Sequence, residues 1–140
     1  MMVSARCEYA CRALLELSQH WPEKKPIRIQ TISTRQKIPM RYLVQILIQL
    51  KRAGLVASVR GKEGGYNLAK PPGKISIGEV MRHVSGPILP VPENGAKEKS
   101  IFITIWREVE DAMSGVLDNV SFDDMATNES GRENAIFYHI

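Results

Sequence analysis

The chain predicts a mainly α-helical fold carrying one small β-hairpin, and three observations predict it. Apolar residues recur at helical spacing over residues 4–20, 40–53 and 100–119. Two short apolar runs, residues 55–59 and 66–68, flank a loop carrying three glycines, an arginine and a lysine, which is how a hairpin is written. Between these segments fall Pro22, Pro26, Pro39, Gly54 and Pro71-Pro72-Gly73, residues that interrupt helices and strands and so set their limits.

The first helix is expected over residues 4–20. Cys7, Ala10, Cys11, Leu14 and Leu17 form its inward face, and Trp21-Pro22 stops it. The two cysteines stand four apart on that face and read as core residues. Their spacing is too tight for an unstrained disulfide, and two thiols alone do not complete a tetrahedral zinc site. Ile27-Arg28-Ile29 alternates like a short strand, and residues 30–37 read as a short helix. Pro39 disfavours helical geometry at Ile38 and can itself open the next helix. That helix, residues 40–53, carries Leu43, Ile46, Leu47 and Leu50 on one face and ends at Gly54. The hairpin follows.

A rigid connector, Pro71-Pro72-Gly73, then leads to Ser76-Ile77-Gly78-Glu79, a capping box that opens a helix to about Ser85. Residues 86–99 hold three prolines and two glycines and should form an exposed loop. In the long helix of residues 100–119, Phe102, Trp106, Val109, Met113, Val116 and Val120 are spaced 4, 3, 4, 3, 4, an a/d seam. A domain this small has little core left to cover such a stripe, so the seam is expected to lie between two copies of the chain. Ser121-Phe122-Asp123-Asp124 caps a last short turn, and a loosely ordered tail is expected to follow. The organisation is therefore residues 1–74 as a winged helix-turn-helix, 75–125 as a helical connector and dimerisation helix, and 126–140 as the tail.

Charge is divided along the same boundary. Residues 1–74 hold fourteen Lys/Arg against four Asp/Glu, and residues 75–140 hold five against eleven. A basic half that coincides with a helix and a wing points to a polyanion, and the expected partner is double-stranded DNA. A wing of this kind with no DNA, serving protein–protein assembly, is the alternative, and the basic surplus argues against it. No apolar run approaches the roughly 18–20 residues of a membrane span, and residues 1–6 lack the apolar core of a signal peptide. A cytoplasmic location and no membrane partner are expected. No Ser-His-Asp arrangement, P-loop or paired metal ligands occur, and His20, His83 and His139 lie far apart, so no catalytic residue, metal site or enzymatic activity is expected.

Several separated pieces resemble the Rrf-two (IscR-like) family of bacterial transcription regulators, in that family's order. They are Glu8-Tyr9-Ala10, Leu14-Leu15, Ile32-Ser33, Ile38-Pro39, Tyr42-Leu43, Gly54-Leu55-Val56, Ser58-Val59-Arg60-Gly61, Gly64-Gly65-Tyr66-Asn67-Leu68, Ile77-Gly78-Glu79-Val80 and Trp106. The resemblance covers residues 1 to about 125. It implies a homodimeric winged-helix DNA-binding protein whose Trp106 helix crosses to the partner subunit. Two departures matter. Many members hold an iron–sulfur cluster through three closely spaced cysteines before the dimer helix, and residues 86–99 contain none. No cofactor is therefore expected, and Glu8, where some relatives use a carboxylate ligand, reads as a solvated charge. Val44 stands where many relatives carry a glutamate that tunes base preference, so their operator does not transfer.

The expected function is a homodimeric transcriptional repressor on an imperfect palindrome. Met40, Arg41, Tyr42, Val44 and Gln45 would present from the recognition helix, Arg41 suited to guanine and Gln45 to adenine. Arg60 and Gly61 would line the minor groove. Arg28, Thr31, Thr34, Arg35, Lys51 and Lys62 would meet phosphate. Phe102, Trp106, Val109, Met113 and Val116 would form the dimer interface. The inducing signal is left open among a small molecule, a partner protein, oxidation of Cys7 and Cys11, and expression level alone.

Overall fold

The computed structural model describes residues 3–23, 25–91 and 100–127. Helix α1 (Ala5–Gln19) starts where the Ser4 hydroxyl accepts the Cys7 amide at 3.1 Å. Its inward face buries Ala10, Ala13, Leu14 and Leu17, with Cys7 buried and Cys11 half-buried beside them. Helix α2 (Ile29–Gln36) begins one residue earlier than the pattern predicts and ends one earlier, because Lys37 adopts φ 53° in the left-handed region. The short strand expected at residues 27–29 reduces to one bridge. Ile27 exchanges backbone hydrogen bonds with Tyr66 at 2.9 and 2.8 Å, and Ile29 is already helical.

The turn into helix α3 (Met40–Arg52) is closed by Ser33, whose hydroxyl donates to the Ile38 carbonyl at 2.7 Å while its own carbonyl accepts the Ile38 amide at 3.0 Å. Ile38 is buried, which fixes the angle between the two helices. Leu43, Ile46, Leu47 and Leu50 are buried on one side of α3, each contributing about 1.5–3 kcal/mol by removal from water. Gly54 ends the helix at φ 78°. Its amide bonds the Lys51 carbonyl, and the Leu55 amide reaches back to Leu50, both at 3.0 Å. Such a Schellman closure needs a left-handed residue, and glycine takes it without steric cost.

Strands β1 (Val56–Val59) and β2 (Gly65–Leu68) pair antiparallel from Val56↔Leu68 to Val59↔Gly65. The wing turn admits only glycine at position 64, where a Cβ would run into the Val59 and Gly61 carbonyls. A 3-10 turn, Pro72–Lys74, leads to helix α4 (Ile77–Ser85). Half of the expected capping box is present: Ser76 accepts the Glu79 amide at 3.1 Å, but the Glu79 carboxylate turns to Lys70 at 2.8 Å.

Helix α5 (Ile101–Leu117) is followed by a return of the chain to the domain. Ile77 bonds the Val120 carbonyl and Phe122 bonds the Ile75 carbonyl, at 3.1 and 3.0 Å. Helix α6 (Phe122–Thr127) then packs on α1 with Phe122 fully buried. Here the capping is reciprocal between Ser121 and Asp124, both bonds at 3.1 Å. Ile75, Val80 and Phe122 thus share one core with Leu14, Leu43 and Leu47, while no residue of α5 is buried. The loop expected over residues 86–99 is described only to Val91. Residues 128–140, which include His139 and nearly all of the expected tail, lie outside the described residues, whereas Ala126 and Thr127 belong to α6.

Candidate nucleic-acid interface

Helix α3 has one face in the core and the opposite face in solvent. Arg41, Gln45, Ile48 and Arg52 run down the middle of the exposed face at spacings of 4, 3 and 4. Val44 and Lys51 flank this line on the hairpin side, and Tyr42 and Gln49 on the α1 side. Met40, Tyr42 and Val44 are exposed despite their apolar character. Arg41 lies 4.8 Å over the Tyr42 ring and donates to its hydroxyl at 3.1 Å. Tyr42 in turn stacks on Tyr9 at 6.0 Å, so the start of α3 is braced against α1.

The wing is tied to the helix-turn-helix from two sides. Lys51 donates to the Ser58 hydroxyl at 2.7 Å, and Arg28 donates to the Lys62 carbonyl at 2.8 Å. Arg28, Arg60, Gly61 and Lys62 border a hollow of about 450 Å³ between the start of α2 and the wing. Arg60 and the Lys62 ammonium have no protein partner among the described residues, so both charges are free for a ligand. Thr34 is exposed and Thr31 half-buried on α2.

Of the residues expected to meet phosphate, Arg35 is drawn away from a purely solvent role. It donates to Glu16 at 3.2 Å, a carboxylate only 2% exposed that also holds His20 at 3.0 Å and Gln36 at 3.2 Å. Glu16 fastens α2 to α1, and the reading of the residues missed it. Its position on the α1 face between Ala13 and Leu17 is the signal that could have found it. Ile48, Gln49 and Arg52, which were not singled out either, follow from the helical period counted from Arg41.

On α5, Phe102, Trp106, Val109 and Val116 are exposed. Phe102 and Trp106 stack at 6.4 Å. Met113 is half-buried and packs with Leu117 on the small cluster of Cys7, Met81 and Ile88, so it faces its own chain. Val120, the last position of the seam, is in the core.

The donors an iron–sulfur cluster requires do not fit this chain. A cluster takes about four ligands, mostly thiolates, and the chain supplies two cysteines on one helix, Cys7 inside the apolar cluster. Among the described residues no three His, Cys, Asp or Glu side chains converge on a metal position. Cys7 is nonetheless unusual. The Cys11 thiol hydrogen-bonds its sulfur and holds it down at about 7; burial opposes this, Ser85 adds to it and the Glu8 charge works against it. Cys11 is pushed up, first by the same hydrogen bond and then by burial.

A helix-turn-helix braced on its first helix, a basic wing and an exposed recognition face define a winged-helix DNA-binding protein. Residues 3–128 match the Rrf2 family model, described as an iron-dependent transcriptional regulator, and the chain belongs to that family. It is 44% identical over 93 residues to an rrf2-like HTH-type transcriptional regulator of Rhodobacter capsulatus, a match spanning 65% of this chain and 62% of that protein. It is 32% identical over 144 residues to the HTH-type regulator CymR of Bacillus subtilis, covering 100% of both. The structure of CymR, described as the global cysteine regulator of that organism, superposes with a TM-score of 0.80 at 30% identity, over 93% of this chain and 99% of that one. The T. potens IscR structure gives 0.77 at 32% identity, over 91% and 88%. The chain is a DNA-binding transcription regulator. No helix among the described residues is long and apolar enough to cross a membrane.

Proposed function

We propose that the protein is a homodimeric repressor that binds an imperfect palindrome, one half-site per subunit. Helix α3 enters the major groove, where Arg41 and Gln45 hydrogen-bond base edges while Met40, Tyr42 and Val44 make apolar or stacking contacts. Arg60 with Gly61 follows the minor groove. Arg28, Thr31, Thr34, Lys51 and Lys62 meet phosphate, and Arg35 does so from its link to Glu16. Residues 1–74 carry DNA contact and 75–125 carry dimerisation, a division of labour that leaves the shared core intact. The dimer forms through the exposed face of α5, with Phe102, Trp106, Val109 and Val116 against the partner subunit and Met113 supporting them from its own chain.

The observation that carries this reading is the stripe of exposed, mostly cationic and amide side chains on α3 beside an arginine and a lysine of the wing without protein partners. The test is duplex binding as a function of salt. If each dimer neutralises about 6–10 phosphates, affinity falls roughly 10³–10⁵-fold between 50 and 200 mM salt. A flat salt response on the tightest duplex selected from a random pool would sink the reading and favour a protein–protein module.

A further inference from the structure

Ile48 is an apolar residue among the polar side chains of the exposed face of α3. It lies on the centre line of the exposed face of α3, 41% exposed, with its back to the buried Leu43, Leu47 and Leu50. Its neighbours along that line are Gln45 and Arg52. Together with Arg6, Gln49 and Val84 they border a hollow of about 480 Å³. The floor of this hollow is fixed. Arg6 donates from Nε to the Gln49 side-chain oxygen at 3.1 Å, and the Gln49 amide donates to the His83 carbonyl at 2.9 Å. These bonds leave the terminal guanidinium nitrogens of Arg6 without a protein partner among the described residues, and Arg52 also has none there.

A small apolar knob bracketed by two free cations calls for a ligand that offers a methyl-sized apolar patch between anions. The major groove of duplex DNA has that chemistry: the C5-methyl of thymine stands on the groove floor between two phosphate walls. The hollow is continuous with Gln45, so one ligand covers both. We infer that Ile48 is a specificity-determining residue that packs on the C5-methyl of a thymine, with Arg6 and Arg52 seated on the flanking phosphates. The inference rests on the proposed docking of α3 in the major groove and extends its footprint to the first helix.

Deoxyuridine differs from thymidine only by that methyl, which makes the test direct. A tight duplex is selected from a random pool with the full chain, and each thymine is replaced singly by deoxyuridine. Wild type is expected to lose about fourfold in affinity at one thymine per half-site, the effect of one buried methyl, and little elsewhere. Ile48→Ala is expected to bind more weakly and to show no penalty at that position. The substitution raises helix propensity at an exposed site, so folding is retained. Reselection with Ile48→Gln should replace that thymine by adenine, which glutamine can bond through N6 and N7. Wild type indifferent to every replacement, or Ile48→Ala keeping the same penalty, would overturn the inference while leaving DNA binding intact. A pool that yields no enriched duplex overturns the docking itself, and the inference with it.

Discussion

Arg60 and Cys7 are single residues whose surroundings make opposite demands. Arg60 lies at the base of the wing turn, exposed and without a protein partner among the described residues, so its removal should disturb only what it touches outside the chain. Arg60→Ala is expected to weaken binding to the selected duplex about tenfold or more, the value of a hydrogen bond to a charged group. Its melting curve should stay within about 0.5 kcal/mol of wild type, as surface substitutions do. Undiminished duplex binding by this variant would remove the wing from the contact surface. Cys7 is buried, and its thiol is held at about 7 mainly by the hydrogen bond from Cys11. An unfolded cysteine titrates near 8.5, so the depressed native value adds stability that is complete above about pH 8.5 and is lost as pH falls through about 7. Wild type should therefore gain on Cys7→Ala between pH 7 and 8.5 in thermal melts. Cys11→Ala, which removes the donor, should abolish that gain. Above this window the raised Cys11 works in the opposite sense, because the folded state then retains a proton that the unfolded chain has released. A wild-type advantage that stays level from pH 6 to 8.5 would show that the two thiols do not share a proton in this way.

Among the elements, α5 differs from the rest in how it is held. Its C-terminal end is anchored by the paired Arg82–Asp118 hydrogen bonds at 2.7 and 2.9 Å, which also hold the Asp118 carboxyl below its usual range. Met113 and Leu117 add apolar contact there. Among the described residues its N-terminal half has no such anchor. Ile101, Phe102, Ile105, Trp106 and Val109 are all exposed, with Phe102 at 60%. A contiguous apolar face of this kind is what the proposed dimer would remove from water. The 4, 3, 4, 3, 4 spacing made this face legible in the sequence, and it also made Met113 look like part of it. What periodicity alone does not reveal is that the helix leans on α4 from Met113 onward, which turns one member of the seam toward Cys7 and Met81. If Phe102, Trp106, Val109 and Val116 meet a second copy, Val109→Glu places an uncompensated carboxylate in that contact. Monomers or insoluble protein are expected in size-exclusion chromatography with light scattering. A soluble, fully dimeric Val109→Glu protein would mean that the subunits meet elsewhere.

At the scale of the whole molecule, most of the helix-turn-helix and wing could be read in advance because local rules decide them. Pro39 and Gly54 bound α3, the 3.6-residue period sorts its buried leucines from its exposed Arg41 and Gln45, and the glycines of residues 61–65 demand a tight turn. The parts that escaped depend on distant partners. Glu16 looks like one more helix charge until Arg35, His20 and Gln36 are brought to it, and Ile29 joins α2 instead of a strand because Ile27 alone finds Tyr66. The return of Phe122 to the core beside Leu14 is likewise a tertiary event without local periodicity to announce it. These distant links make residues 3–23, 25–91 and 118–127 one braced body, with α5 the remaining element, held to it at its C-terminal end. That arrangement carries a prediction for the proposed dimer. Two rigid reading heads joined through α5 have a set separation, and a twofold pair of recognition helices meets successive major grooves about 34–36 Å apart. Inserting about 5 base pairs at the centre of the selected palindrome moves one half-site roughly half a turn, to the opposite face of the duplex. Dimer affinity should then fall to that of an isolated half-site, with the salt slope reduced to about half, because only one subunit's phosphates are engaged. Equal affinity for the native and the lengthened palindrome in a gel-shift titration would mean that the reading heads are not rigidly coupled, and would remove α5 as the element that spaces them.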